Sequence, residues 1–229
     1  MRLRSVFLMA AVPSLLSGCT TFATVRSAEP YVGPSVAVQG SASTPPGEIA
    51  SWFWSFDCAE ACRHPIVGGD LGFTYGWRPN GGPRAVALGA GISGVNPYVD
   101  GYVQLAGGPR PFGLGARLGA APFGWRENQI YGRYDIPVNA QSRVLLNPGL
   151  FVSEGHSPNG GSSGRFLGFV QGVGLQTDSD YLSCTPSVGL VAGQAQRDRY
   201  GRVDGPESTV FAIASVGFTW HGRRVKPEH

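Results

Sequence analysis

Charge is scarce in this chain. Charged residues make up 14% of the 229, and of the 18 basic ones only Lys226 is a lysine. Set against 15 acidic residues, the balance is +3. That gives nucleic-acid binding no support from electrostatics. Long apolar runs are also missing. The one near the start, Val6 to Leu16, is shorter than the ~20 residues a transmembrane helix needs. No later run approaches that length, which excludes a helical span in the rest of the chain. No glycine-rich phosphate loop opens a helix and no His-Glu-x-x-His occurs, so neither a nucleotide cofactor nor a catalytic metal is expected. Glycine, by contrast, is abundant at 35 residues, yet it follows no three-residue period, which excludes collagen.

The start of the chain carries an address. Arg2 and Arg4 precede the apolar run, which ends in Leu16-Ser17-Gly18-Cys19. A basic start, a short apolar core and small residues before a cut are the three parts of a secretory signal. The four-residue ending resembles the cleavage motif of bacterial lipoproteins. That resemblance implies cleavage before Cys19, lipid on its sulfur and an acylated amino terminus. More than one acyl chain makes such anchoring stable. Thr20 stands where that family often places an inner-membrane retention Asp, so the expected location is the outer membrane. Cleavage would remove Arg2 and Arg4 and leave 16 basic against 15 acidic residues, a balance of +1.

Three further cysteines remain: Cys58, Cys62 and Cys184. An exported chain meets oxidising conditions. Cys58 and Cys62 are four apart behind Asp57, so a single capped helical turn would bring them together, and a local disulfide is expected. Cys58, Cys62 and His64 lack a clear fourth ligand for a metal site. The partner of Cys184 is left open.

From Ile66 onward, apolar residues alternate with glycine or polar ones, the period of a strand. In 112–120 one face reads Phe112, Leu114, Ala116, Leu118 and Ala120, and the other Gly113, Gly115, Arg117 and Gly119. Similar runs occur at 67–77, 84–92, 98–106, 129–137, 143–153, 165–177, 181–194 and 208–220. Turn chemistry separates them, as in Asn80-Gly-Gly-Pro83 and Gly107-Gly-Pro-Arg110. The expected fold is all-β: an antiparallel up-and-down barrel of 8–10 strands behind a disordered, lipidated N-terminal tether. The expected division is 1–18 signal peptide, 19–50 flexible tether with a short strand over Val36-Ala37-Val38 as an option, 51–65 aromatic and cysteine segment or plug, 66–221 barrel and 222–229 polar tail.

The face opposite the apolar one is largely glycine, which weakens strands and marks a crowded interior rather than a solvated surface. A narrow barrel with lipid outside accounts for both faces. A turn at 107–110 that sets Asp100 against Arg117, Tyr102 against Gly115 and Gln104 against Gly113 also sets Val99 against Leu118, Val103 against Leu114 and Leu105 against Phe112. An inward Asp100–Arg117 pair follows. Asp70, Arg133, Asp135, Arg143 and Asn147 fall on similar inward faces and are expected to neutralise one another in a filled lumen.

The pattern over 66–220 resembles small outer-membrane β-barrels, whose final strand ends in aromatics as this one does at Phe218 and Trp220. Here a polar tail, His221 to His229, follows that ending. The resemblance implies a bilayer as partner, a location in the outer membrane and no catalysis, with a structural or surface-interaction role. Two alternatives stay open. Ser153-Glu-Gly-His156-Ser157 is similar to the serine and histidine cluster of outer-membrane lipid hydrolases, although their residues are two apart and these are adjacent. A lipid-tethered, lipocalin-like carrier would instead hold a small apolar ligand in a soluble barrel.

Overall fold

The computed structural model describes residues 25–43, 67–79, 82, 84–94, 96–120, 125–156, 162–199 and 202–222. Ten antiparallel strands close into one barrel. They are β1 (Gly33–Ser43), β2 (Val67–Trp77), β3 (Val86–Ser93), β4 (Asn96–Ala106), β5 (Phe112–Gly119), β6 (Trp125–Pro137), β7 (Ser142–His156), β8 (Ser162–Asp178), β9 (Leu182–Arg199) and β10 (Arg202–His221). Each strand pairs with its neighbours in sequence, and β1 closes the wall against β10.

The tenth strand corrects the expected division. β1 lies inside the stretch read as a flexible tether. Its inward residues, Ser35, Ala37, Gln39, Ser41 and Ser43, are small and polar, so its period-two pattern is faint. Topology nevertheless requires it. A meander of nine strands would close with β2 parallel to β10, whereas β1 between them keeps every pair antiparallel. The barrel therefore begins at Gly33, not residue 66.

Register follows the side-chain pattern. β4 and β5 pair Asp100 with Arg117, Tyr102 with Gly115 and Gln104 with Gly113. A shift between Gln104 and Ala106 brings Ala106, rather than Leu105, opposite Phe112. The wall is uneven in height. β3 and β5 have 8 residues each, whereas β7 to β10 have 15, 17, 18 and 20. The excess length lies at the end away from Gly33 and His221, where polar outward residues such as Glu154, Arg165 and Gln194 continue the alternation.

The outer face is apolar all round. Phe73, Leu88, Leu118, Ile130, Leu150, Val188 and Val210 are each more than half exposed. Inside, the distal part of the tall wall holds an apolar cluster of Phe151, Phe166, Val170, Val191, Phe211 and Ile213. Nearer Gly33 the lumen is polar. Into that part runs the segment before β1. Tyr31 sits beside Asp178, Ser183 and His221 at the terminal end. Arg26 lies deeper, beside Asp70 and Asp100 in mid-wall.

Gly33 is where the chain leaves the lumen and enters the wall, and it takes φ of +92°. A side chain is strained in that left-handed region. Gly33→Ala should cost about 1–2 kcal/mol, read as a lower urea midpoint.

Candidate functional site: a lumen filled by the chain itself

The five interior charges marked from the sequence are all buried: Asp70, Asp100, Arg117, Arg133 and Asp135. Burying a charge is costly unless it is paired and hydrogen-bonded, so their partners decide what the lumen can be. Asp70 on β2 accepts from Tyr98 Oη at 3.0 Å, Arg117 Nη1 at 3.3 Å and Arg26 Nη2 at 3.3 Å. Asp100 on β4 lies 3.6 Å from Arg133 Nη2 and 3.9 Å from Arg26 Nη1, and it accepts from Tyr131 Oη.

Asp100 and Arg117 therefore face inward at one register position, yet their ion-pair partners differ from the expected pair. The aspartate is short and stays near its own wall. The arginine is long enough to cross a narrow lumen to Asp70. On the way its guanidinium lies over the Tyr98 ring, 3.9 Å from the centroid, a favourable cation–π contact. Arg133 stands likewise over Tyr102 and Tyr131.

The inward glycines make room for these rings. A Cβ at Gly113 or Gly115 would strike the Tyr102 or Tyr131 ring. Other glycines make room for the inserted segment. A Cβ on Gly172 or Gly174 would come within 2.6 or 2.8 Å of the Val25 methyls, and one on Gly76 would strike the Tyr31 carbonyl.

The segment is held by wall side chains at nearly every residue. Arg26 N donates to Asn147 Oδ1 at 2.6 Å. Asp135 accepts from Ser27 Oγ at 2.5 Å, Ala28 N at 2.8 Å and Arg143 Nη1 at 3.3 Å. Tyr102 Oη donates to the Ala28 carbonyl at 2.7 Å. Glu29 accepts from Arg143 Nη1 and, at the exposed rim, from Arg78 Nη2, both at 3.3 Å. Tyr31 stacks on His221 with ring centroids 3.9 Å apart. Sequence reasoning missed this segment. Its available signal was a pair of charges, Arg26 and Glu29, among small residues.

The remaining expectations stand as follows. Cys19, Cys58 and Cys62 lie outside the described residues, as does the whole aromatic segment 51–65 that was read as a plug. Among the described residues Cys184 forms no disulfide. His156 ends β7 in register with Ser163, but its side chain and Ser157 lie outside the described residues. A cavity of about 20 Å³ lined by Ser93, Asn96, Tyr98 and Arg117 has room for a water molecule rather than a drug-sized ligand.

No family model matches the chain, and no curated relative matches it. Solved structures with a related outline include Neisserial surface protein A, at 11% identity and a TM-score of 0.40 over 84% of this chain and 99% of that one. Ail, the attachment invasion locus protein of Yersinia pestis, is 11% identical with a TM-score of 0.30 over 82% and 99%. The Acinetobacter baumannii outer membrane protein Omp33 is 11% identical with a TM-score of 0.29 over 83% and 98%. At these values the likeness carries no function across.

Breaking the deepest ion pair tests the electrostatics. Asp70→Asn leaves the half-buried Arg26 and the buried Arg117 short of a carboxylate and should cost about 3–5 kcal/mol in guanidinium unfolding. Glu154→Gln, at the outward Arg126–Glu154 pair, should cost no more than about 1 kcal/mol in the same assay.

Proposed function

We propose that the chain is an outer-membrane lipoprotein, anchored through Cys19, whose barrel sits in the bilayer with its lumen closed by its own N-terminal segment. Its role is structural or surface-interacting rather than catalytic. The observation that carries this reading is the outer face. In water, monomeric proteins rarely expose a contiguous apolar patch beyond a few hundred Å². Here the outward residues of all ten strands form an apolar band, interrupted at mid-height by Gln171, whose amide donates to the Gly172 carbonyl. Along β10 it runs from Val210 to Trp220. Ten strand steps at the usual rise and tilt give about 25 Å, the height of an outer-membrane barrel's lipid-facing band. Polar residues bound the band at the distal side, with Arg126, Glu154, Arg165 and Ser208. Aromatics bound it at the terminal side, with Trp77, Tyr134, Tyr181 and Trp220, as an interfacial girdle does.

Backbone pairing points the same way. In hydrocarbon every peptide group needs an internal partner, and a wall closed by β1 and β10 leaves no edge. A lipocalin-like carrier would invert this arrangement, with polar residues outside and an apolar cavity inside. The polar part of the lumen, filled by residues 25–31, the distal part, packed by Phe151 and its neighbours, and the outward leucines all weigh against it.

The test separates an integral barrel from a tethered soluble one. The full-length protein and Cys19→Ala should both resist carbonate extraction and both migrate differently on gels before and after boiling. Release of Cys19→Ala by carbonate would overturn the integral reading. Radiolabelled fatty acid should enter the parent but not Cys19→Ala. Leu150→Arg, in mid-band, should destabilise the barrel in bilayers by about 2–4 kcal/mol.

A further inference from the structure

Residues 25–31 form no backbone ladder with the wall; wall side chains read them instead. Asn147, Asp135 and Tyr102 bond the peptide groups of Arg26 and Ala28. Asp70 and Asp100 hold the Arg26 guanidinium. Glycines shape the pocket under Val25, and His221 stacks on Tyr31. Backbone, charge, size and an aromatic ring are thus each recognised by a different part of the wall. That is how a receptor holds an extended peptide, not how a core packs. The one covalent link between the segment and the wall is through Gly33. The burial that seats it is small: Val25 and Ala28 are its buried apolar residues.

We propose that the lumen is a peptide-binding site. Its resident ligand is the segment 25–31. When that segment leaves, the site takes in trans an extended peptide of the same pattern: an arginine, two small residues, an acid, a proline and an aromatic. The site depends on the filled lumen and not on the bilayer reading, because binding is measured in detergent. In the intact chain the tether holds the resident segment at an effective concentration in the millimolar range, so a dilute free peptide does not displace it.

The test replaces residues 25–31 in the full-length protein by a glycine and serine stretch of equal length. A fluorescein-labelled synthetic peptide of residues 25–32 is then titrated against it in detergent micelles and followed by anisotropy. Saturable binding is expected, at least tenfold tighter than to the unaltered protein. Peptide with Arg26→Ala, or Asp100→Asn in the receptor, should weaken it at least tenfold. A replaced protein that keeps its heat-modifiable band and binds no peptide overturns the proposal. So does equal binding of a scrambled peptide. Should the replaced protein fail to fold, it is refolded with the peptide present. Recovery of the heat-modifiable band with the native peptide, but not the scrambled one, supports the site, and failure with both overturns it.

Discussion

A sheet that closes on itself has an inside that must be filled, and the rest of this molecule follows from how that is done. Closure leaves no strand edge unpaired. Ten strands enclose more space than eight, whose side chains suffice to fill their own lumen. Much of this wall points glycine inward. The filling therefore comes from three sources: tyrosine and arginine side chains that reach across, an apolar cluster on the tall side, and the chain's own N-terminal segment.

These fillings account for the glycines in two ways. Opposite Tyr102 and Tyr131, glycine gives a ring the space it needs within the wall. Opposite Val25 and Tyr31, it gives the inserted segment its path. Ionised groups fit the same space because each is shared. Asp70 serves two arginines, Asp100 serves two, and Asp135 holds both the segment's backbone and Arg143. Shared pairs in a confined interior favour one arrangement of wall and segment over others, since moving either leaves a buried charge without its partner.

The same geometry bears on the lipid anchor proposed at Cys19. A barrel with a 25 Å apolar band stays in a membrane without an acyl chain. Only a few residues separate Cys19 from Val25, which is already deep in the lumen. Under that proposal an anchor would act on the same stretch of chain that fills the lumen. Lipid attachment, as proposed, and lumen occupancy would then be properties of one segment rather than of two modules.

Much of the wall was legible in the sequence, because a strand's two faces repeat every two residues and need no knowledge of the rest of the fold. Asp100 opposite Arg117 is such a case: one turn and one alternation set the register. β1 was legible only as a short option over Val36-Ala37-Val38, because the small residues around those two valines blur the period. The partners of Arg117 and the insertion of Arg26 through Tyr31 could not be read at all. They join residues far apart in sequence across a lumen whose width depends on strand number, and strand number depends on β1. The sequence alone determined which residues face outward and which face inward, since that is local alternation. Only the tertiary structure decided what fills the inside, since a cavity belongs to the closed wall and to no single strand.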